Sequence, residues 1–204
     1  MSTKRIPIIA LFGKSGSGKD TLQSALCSDK NYNYHKIVSA TTRPPRDYEQ
    51  EGVDYYFLTE IEFAQKIIDL EMLEATSFRD WFYGTPLSSL DPDKINIGVF
   101  NPQGIRCLLD DDRLDVIPVY VLASDKTRML RALNREDQPD VSEIARRYLK
   151  DNEDFSGVED EFDYYCFYNE EECTDDVLTH RFFNDVVCVV LLSQVWEGQK
   201  WLNI

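Results

Sequence analysis

Residues 6–27 read IPIIALFGKSGSGKDTLQSALC. The first seven form a continuous apolar run, the pattern of a strand buried on both faces. Gly13 to Lys19 then fits the spacing GxxxxGK, and Thr21 to Cys27 has helical spacing with Leu22, Ala25 and Leu26 on one face. Strand, glycine loop and helix in this order is the context in which the spacing holds phosphate. The glycines let the backbone wrap with its N–H groups inward, and the helix beginning after Lys19 adds its positive end. Lys19 reaches terminal phosphates as a point charge, and Lys14 offers a second charge that an ordinary surface lysine explains equally well. The bland alternative is a plain glycine turn. Asp20 stands where the usual pattern has Ser or Thr. A carboxylate there either caps free N–H groups in the first helical turn, ligates Mg2+ directly or through water, or leaves the metal to Thr21. Residue identity alone keeps all three open.

The rest of the chain continues the alternation. HKIVSA (35–40), KINIGVF (94–100), VIPVYVLA (116–123) and FDYYCFYN (162–169) read as further strands. Helical stretches cover 124–134 and 142–153, and a helix closes the chain. Strands alternating with helices predict an α/β three-layer sandwich with a mostly parallel core sheet. Residues 41–93 differ in texture. Prolines 44 and 45 forbid regular structure, VDYYFL (53–58) reads as a strand, EIEFAQKIIDLEML (60–73) as a helix and WFYGTP (81–86) as an aromatic strand or turn. The predicted organisation is a core domain of residues 1–40 and 94–204, with a helical lid at about 131–150, and a small mixed lobe inserted at 41–93.

Composition restricts the partners. The 204 residues carry 37 acidic against 22 basic side chains, a net charge of −15. Such a surface repels nucleic acid polymers and anionic membranes at long range, while a local basic cleft still holds a phosphate. Free nucleotides are the expected partners. Five scattered cysteines with no CxxC pair suit a reducing, cytoplasmic compartment, and the apolar run at the N-terminus is too short to span a bilayer. VVCVVLL (186–192) fits a buried element or the surface of a second copy, a homodimer contact being preferred by a small margin.

Binding chemistry concentrates in SATTRPPRDYEQEGVDYYF (39–57). Arg43 and Arg46 flank two prolines, a stiff mount for two guanidinium forks that suits a monophosphate dianion. Tyr55 and Tyr83 are candidate hydroxyl donors to the same group, while Tyr56 and Phe57 read as ordinary strand aromatics. Glu74 follows an apolar helical face and needs donors. The ring N–H and exocyclic amine of guanine supply two adjacent ones, and a structural salt bridge is the competing use.

Taken in order, GKSGSGKDTL, VSATTRPPRDYEQEGVDYYFL, EMLEA, FYGTP and NREDQPDVSEIARR resemble the guanylate kinase family over about residues 6–170. The resemblance implies transfer of the ATP γ-phosphate to GMP or dGMP with Mg2+. By position it assigns the donor nucleotide to Gly13, Lys14, Ser15, Gly16, Ser17, Gly18, Lys19, Asp20, Thr21 and Asn169. It places the monophosphate substrate on Ser39, Arg43, Arg46, Tyr55, Glu74, Tyr83 and Thr85. Lys19, Arg43 and the lid arginines Arg131, Arg135 and Arg147 become the catalytic set, and Asp20 or Thr21 the metal ligand.

Three departures stand out: Asp20 itself, the strand VFNPQG (99–104), and an acidic 150–176 region that matches weakly. Val99 replaces the Asp that, by the resemblance, helps recognise the guanine amine, and Asn101 replaces the pattern's second Asp, so a shifted or broader base choice is the alternative acceptor reading. A non-catalytic binding module is the other alternative, disfavoured by the intact loop and arginine pair.

Overall fold

The computed structural model describes residues 5–46, 49–78, 80–135 and 138–191. One sheet has the order β2-β7-β1-β8-β9, and a second, four-stranded sheet the order β4-β3-β6-β5. The first contains β1 (Ile6–Phe12), β2 (Tyr34–Lys36), β7 (Ile95–Phe100), β8 (Leu114–Leu122) and β9 (Tyr165–Tyr168). The second contains β3 (Ala40–Thr41), β4 (Tyr56–Phe57), β5 (Met72–Phe78) and β6 (Trp81–Pro86). Helices α1 (Lys19–Ser28), α2 (Glu60–Ile68), α3 (Pro102–Leu109), α4 (Asp125–Leu133), α5 (Val141–Asp154) and α6 (Asp175–Phe182) follow the strands they connect. Pairs β2–β7 and β8–β9 both run parallel. The predicted α/β class with a parallel core sheet and a small mixed sheet is therefore the observed one.

The chain resolves into two compact units, Met1–Leu11 with Asn33–Ile117, and Phe12–Tyr32 with Pro118–Ile204. Their boundaries fall elsewhere than the expected 41–93 insertion, although the whole mixed sheet lies between Ala40 and Pro86. In the first unit Ile8, Ile9, Leu11, Ile97, Ile105 and Leu108 are buried. Asn96 is buried among them without penalty: its amide nitrogen donates to the carbonyls of Asp91 (2.8 Å) and Lys94 (3.1 Å), and its oxygen accepts from Asp91 N (2.8 Å). In the second unit Phe12, the last residue before the glycine loop, stacks on Tyr120 with ring centroids 4.8 Å apart. Tyr120 in turn stacks on Phe155 at 5.6 Å.

Several predicted elements have different limits, each for a local reason. The expected strand 35–40 divides into β2 and β3, which belong to different sheets. The strand at 53–58 is reduced to Tyr56–Phe57, because Gly52 turns at φ 72° and the amides of Val53 and Asp54 bond back to the Gln50 carbonyl. The helix expected at 60–73 starts as its capping box requires: Thr59 N donates to Glu62 at 2.8 Å, and Glu62 N donates to the Thr59 hydroxyl at 3.2 Å. It stops at Ile68, Leu70 turns left-handed at φ 57°, and Met72–Phe78 pairs antiparallel with β6. Glu74 thus lies on a strand, not behind a helix. The last core strand spans four residues in place of eight. Beyond α6 the C-terminal helix widens into a π turn at Phe183–Val187. Val186 and Val190 on this segment are buried in the chain's own fold, leaving Val189 at 46% exposure; Leu192 of the apolar stretch lies outside the described residues. Among the described residues no helix is long and apolar enough to cross a membrane.

Candidate active site

The glycine loop is built as its sequence requires. Gly16 and Gly18 lie in the left-handed region at φ 79° and 89°, and a side chain on either would also collide with Arg128 or Asn169. A turn bond from Ser17 N to Lys14 O (3.1 Å) closes the loop. Gly18 is the N-cap of α1 and supplies no side-chain cap, so the first-turn N–H groups keep their capacity for an external anion. Two further features fit a phosphate. The Ser17 hydroxyl is buried, 1% exposed as a residue, with no hydrogen-bond partner among the described residues. Lys19 has none either. Asp20 lies exposed in the first turn of α1 beside Thr21. No group of three or more His, Cys, Asp or Glu poised to hold a metal occurs among the described residues. A Mg2+ bound through nucleotide phosphates asks for only one or two protein oxygens, so Asp20 and Thr21 are compatible with it.

Other loop residues are engaged by the protein itself. Lys14 Nζ donates to Asn152 at 2.9 Å. Ser15 N and Oγ donate to the Asp151 carboxylate at 2.8 and 3.2 Å. Asn169 Nδ2 and Arg131 Nη1 donate to the Ser17 carbonyl at 2.9 and 3.3 Å, and Arg131 also bonds Asn169 O at 2.9 Å. Asn169, expected near the adenine, is a buried brace for the loop. Arg147 pairs with Glu143 at 2.8 Å, and Arg135 is exposed with no hydrogen bond among the described residues.

In the other unit Arg43 lies beside two of the expected monophosphate residues, Tyr55 and Tyr83. Its guanidinium carbon lies 5.6 Å from the centre of the Tyr55 ring, and the Tyr55 and Tyr83 rings meet edge to face at 6.2 Å. Ser39 contributes its carbonyl, which accepts from Tyr56 N at 2.9 Å. Glu49, which the motif reading overlooked, joins both arginines. Arg43 Nη2 donates to its two oxygens at 2.7 and 2.9 Å, and Arg46 Nη1 lies 3.5 Å away. Burial works to raise the Glu49 pKa, but the bonds from Arg43 and the Arg46 amide outweigh it and hold it below the usual value. The sequence signal was present as an acidic residue three places after Arg46, repeating the interval between the arginines.

Glu74 projects from β5 toward β6, where Thr85 Oγ donates to its Oε1 at 2.8 Å. Among the described residues Oε2 has no donor. Burial, only partly offset by Thr85, pushes the Glu74 pKa up to about 7. A Cβ placed on Gly104 would lie 3.5 Å from Glu74 Oε2 and 3.3 Å from Asn101 Oδ1, so Gly104 leaves these two groups facing one small space. Asn101 itself caps α3, accepting from Gly104 N at 2.7 Å, and donates to Thr76 Oγ1 at 3.3 Å.

A family model described as guanylate kinase matches residues 4–180. The chain belongs to the guanylate kinase family. The guanylate kinase of Mycoplasmoides gallisepticum is 47% identical over 151 residues, covering 72% of this chain and 77% of that protein. That of Onion yellows phytoplasma is 35% identical over 159 residues, covering 72% of each. Among solved structures, the guanylate kinase from Anaplasma phagocytophilum superposes with a TM-score of 0.60 over 94% of this chain and 88% of that one, at 22% identity. This last likeness speaks to the fold. Family membership identifies the glycine loop as a P-loop of the guanylate kinase type.

Proposed function

We propose that this guanylate kinase homologue transfers the γ-phosphate of ATP to GMP or dGMP. The observation that carries the acceptor assignment is Glu74: a half-buried residue whose desolvated carboxylate has one oxygen held by Thr85 and the other without a donor among the described residues. Two adjacent N–H donors on a base answer that oxygen's need, and the guanine edge has them. Arg43 and Arg46 take the acceptor phosphate, in competition with Glu49, and Tyr55, Tyr83 and Ser39 line it. Residues 41–93 act as the monophosphate-binding lobe. Gly13, Gly16, Ser17, Gly18 and Lys19 hold the donor phosphates, with Asp20 or Thr21 toward Mg2+, which when bound neutralises phosphate charge. No protein nucleophile is needed for in-line transfer, since the acceptor phosphate attacks while Lys19, Arg43 and the lid arginines Arg131, Arg135 and Arg147 stabilise the charge. The proposed setting is cytoplasmic, with nucleotides rather than nucleic acid or membrane as partners. A homodimer is proposed through the apolar stretch VVCVVLL (186–192).

One observation favours a second, broader acceptor reading. The Asn101 carboxamide is oriented by Gly104 N and Thr76, and Val99 has no acceptor, so the guanine amine meets fewer acceptors than a carboxylate pair would offer. Losing one such contact relaxes discrimination by about 1–3 kcal/mol. Coupled ADP release across GMP, dGMP, IMP, AMP, CMP and dTMP separates the readings. Turnover highest with GMP or dGMP is expected. IMP within about tenfold of GMP marks the broader site, and no turnover with any acceptor overturns the kinase assignment.

A further inference from the structure

Ser15 of the P-loop is held from both sides by two side chains that neither the motif nor the reaction chemistry calls for. Arg128, on α4 and only 3% exposed, donates from Nε to the Ser15 carbonyl at 2.9 Å. Its Nη2 donates to Asp151 Oδ2 at 2.7 Å, and that same carboxylate, on α5, accepts the Ser15 amide at 2.8 Å and the Ser15 hydroxyl at 3.2 Å. The result is a closed ring in which the amide, carbonyl and hydroxyl of one loop residue are all bonded to an ion pair. The pair is itself fixed. Arg128 Nη1 donates to Asp125 at 2.8 Å, the Tyr148 hydroxyl donates to the other Asp125 oxygen at 2.5 Å, and the guanidinium lies 5.2 Å from the Tyr148 ring centre. Gly16 packs so closely on the Arg128 backbone that a Cβ there would reach its carbonyl oxygen. Next in sequence, Lys14 Nζ reaches Asn152, the residue after Asp151.

We propose that Arg128 and Asp151 are positioning residues for the donor nucleotide, an inference that rests on the kinase reading above. By bonding Ser15 outward they set the curvature of the loop, which presents the Ser17 hydroxyl and Lys19 to the donor phosphates. Ser15 is then no phosphate ligand despite its place in the motif. A buried arginine facing two carboxylates is costly to desolvate and stabilises a fold poorly compared with apolar packing. It does hold a backbone segment in one geometry, and a loop displaced by an ångström loses much of its catalytic power.

The test uses the full chain with Asp151→Asn, Arg128→Met, the double variant, and Ser15→Ala, which deletes only the hydroxyl bond and keeps the ion pair. Initial rates are measured with ATP and acceptor varied in turn, and ATP binding by calorimetry in Mg2+. The expected result is an ATP KM and Kd raised about tenfold by either charge variant, with the acceptor KM within about twofold. The double variant should be no worse than the poorer single, since the ring acts as one unit, and Ser15→Ala should raise the ATP KM about threefold. Unchanged ATP affinity with only a lowered Tm, or equal rises in both KM values, overturns the proposal. Should the charge variants fail to fold, Ser15→Ala decides alone, and an unchanged ATP KM overturns it. Wild-type protein that neither binds ATP nor turns over any acceptor defeats the kinase reading itself, a different outcome from normal wild-type activity with insensitive variants.

Discussion

Glu74 combines the proposed acceptor-reading role with a cost to stability, and both depend on pH with opposite signs. Its pKa of about 7 in the folded chain exceeds the ordinary 4.5, so between these values the native state retains a proton that the unfolded state has lost. Stability therefore falls as pH rises through this window, and the full deficit is present above about 7. Glu74→Gln removes the ionisation while keeping an oxygen for Thr85. Thermal unfolding should show no difference near pH 4.5 and a gain approaching about 3 kcal/mol at pH 8. Function should go the other way: the ionised carboxylate is the form that accepts guanine N–H groups. The wild-type acceptor KM should rise as pH drops below about 7, while the variant loses about 100-fold in kcat/KM for GMP at every pH. A pH-independent acceptor KM would remove Glu74 from the base site. Asp20 needs a different experiment, because among the described residues its carboxylate has no hydrogen-bond or ion-pair partner whose loss would register in stability. Asp20→Ala should raise the Mg2+ concentration needed for half-maximal rate, and an unchanged Mg2+ dependence would return Asp20 to a helix-capping role.

At the level of elements, the links after helices show where local patterns end. The apolar spacing of 60–73 reads as one long helix, yet α2 ends at Ile68 because Leu70 takes a left-handed turn that a branched side chain tolerates poorly. Leu70 is 80% exposed, so its side chain contributes little burial in exchange. Leu70→Gly should raise the unfolding free energy by about 0.5–1 kcal/mol, visible as a Tm increase of a few degrees, since the relief at φ 57° exceeds the added freedom of the unfolded chain. A lower Tm would mean that the exposed leucine packs more than its accessibility allows. Elements with strong local signals came out as read. β1 has its apolar run, and α4 and α5 have Ser124 and Asp140 as N-caps accepting from Thr127 N and Glu143 N. The limits of short strands such as β3 and β4 were not legible: both fall in or at the edge of stretches read as longer strands, because two residues have no periodicity and are delimited by their partners in the mixed sheet.

For the molecule as a whole, the charge of −15 has to be carried at close quarters. Self-repulsion of this size should be relieved by salt, whose screening length falls from about 10 Å at 0.1 M to about 3 Å at 1 M. Tm should therefore rise with NaCl, and a fall would mean that ion pairs such as Arg43–Glu49 and Arg128–Asp151 outweigh the net repulsion. What the sequence determined by itself is the alternation of strands and helices and the loop with its glycines. These depend on periodicity, capping and backbone freedom within a few neighbours. Only the tertiary structure decided that Glu74 stands on a strand beside Thr85, that Glu49 bonds both arginines, and that Asp151 grips Ser15 across 136 residues of chain. Such pairings have no local signature. They arise because folding brings distant polar groups into a dry interior, where each must find a partner, and the partner is chosen by packing rather than by nearness in sequence.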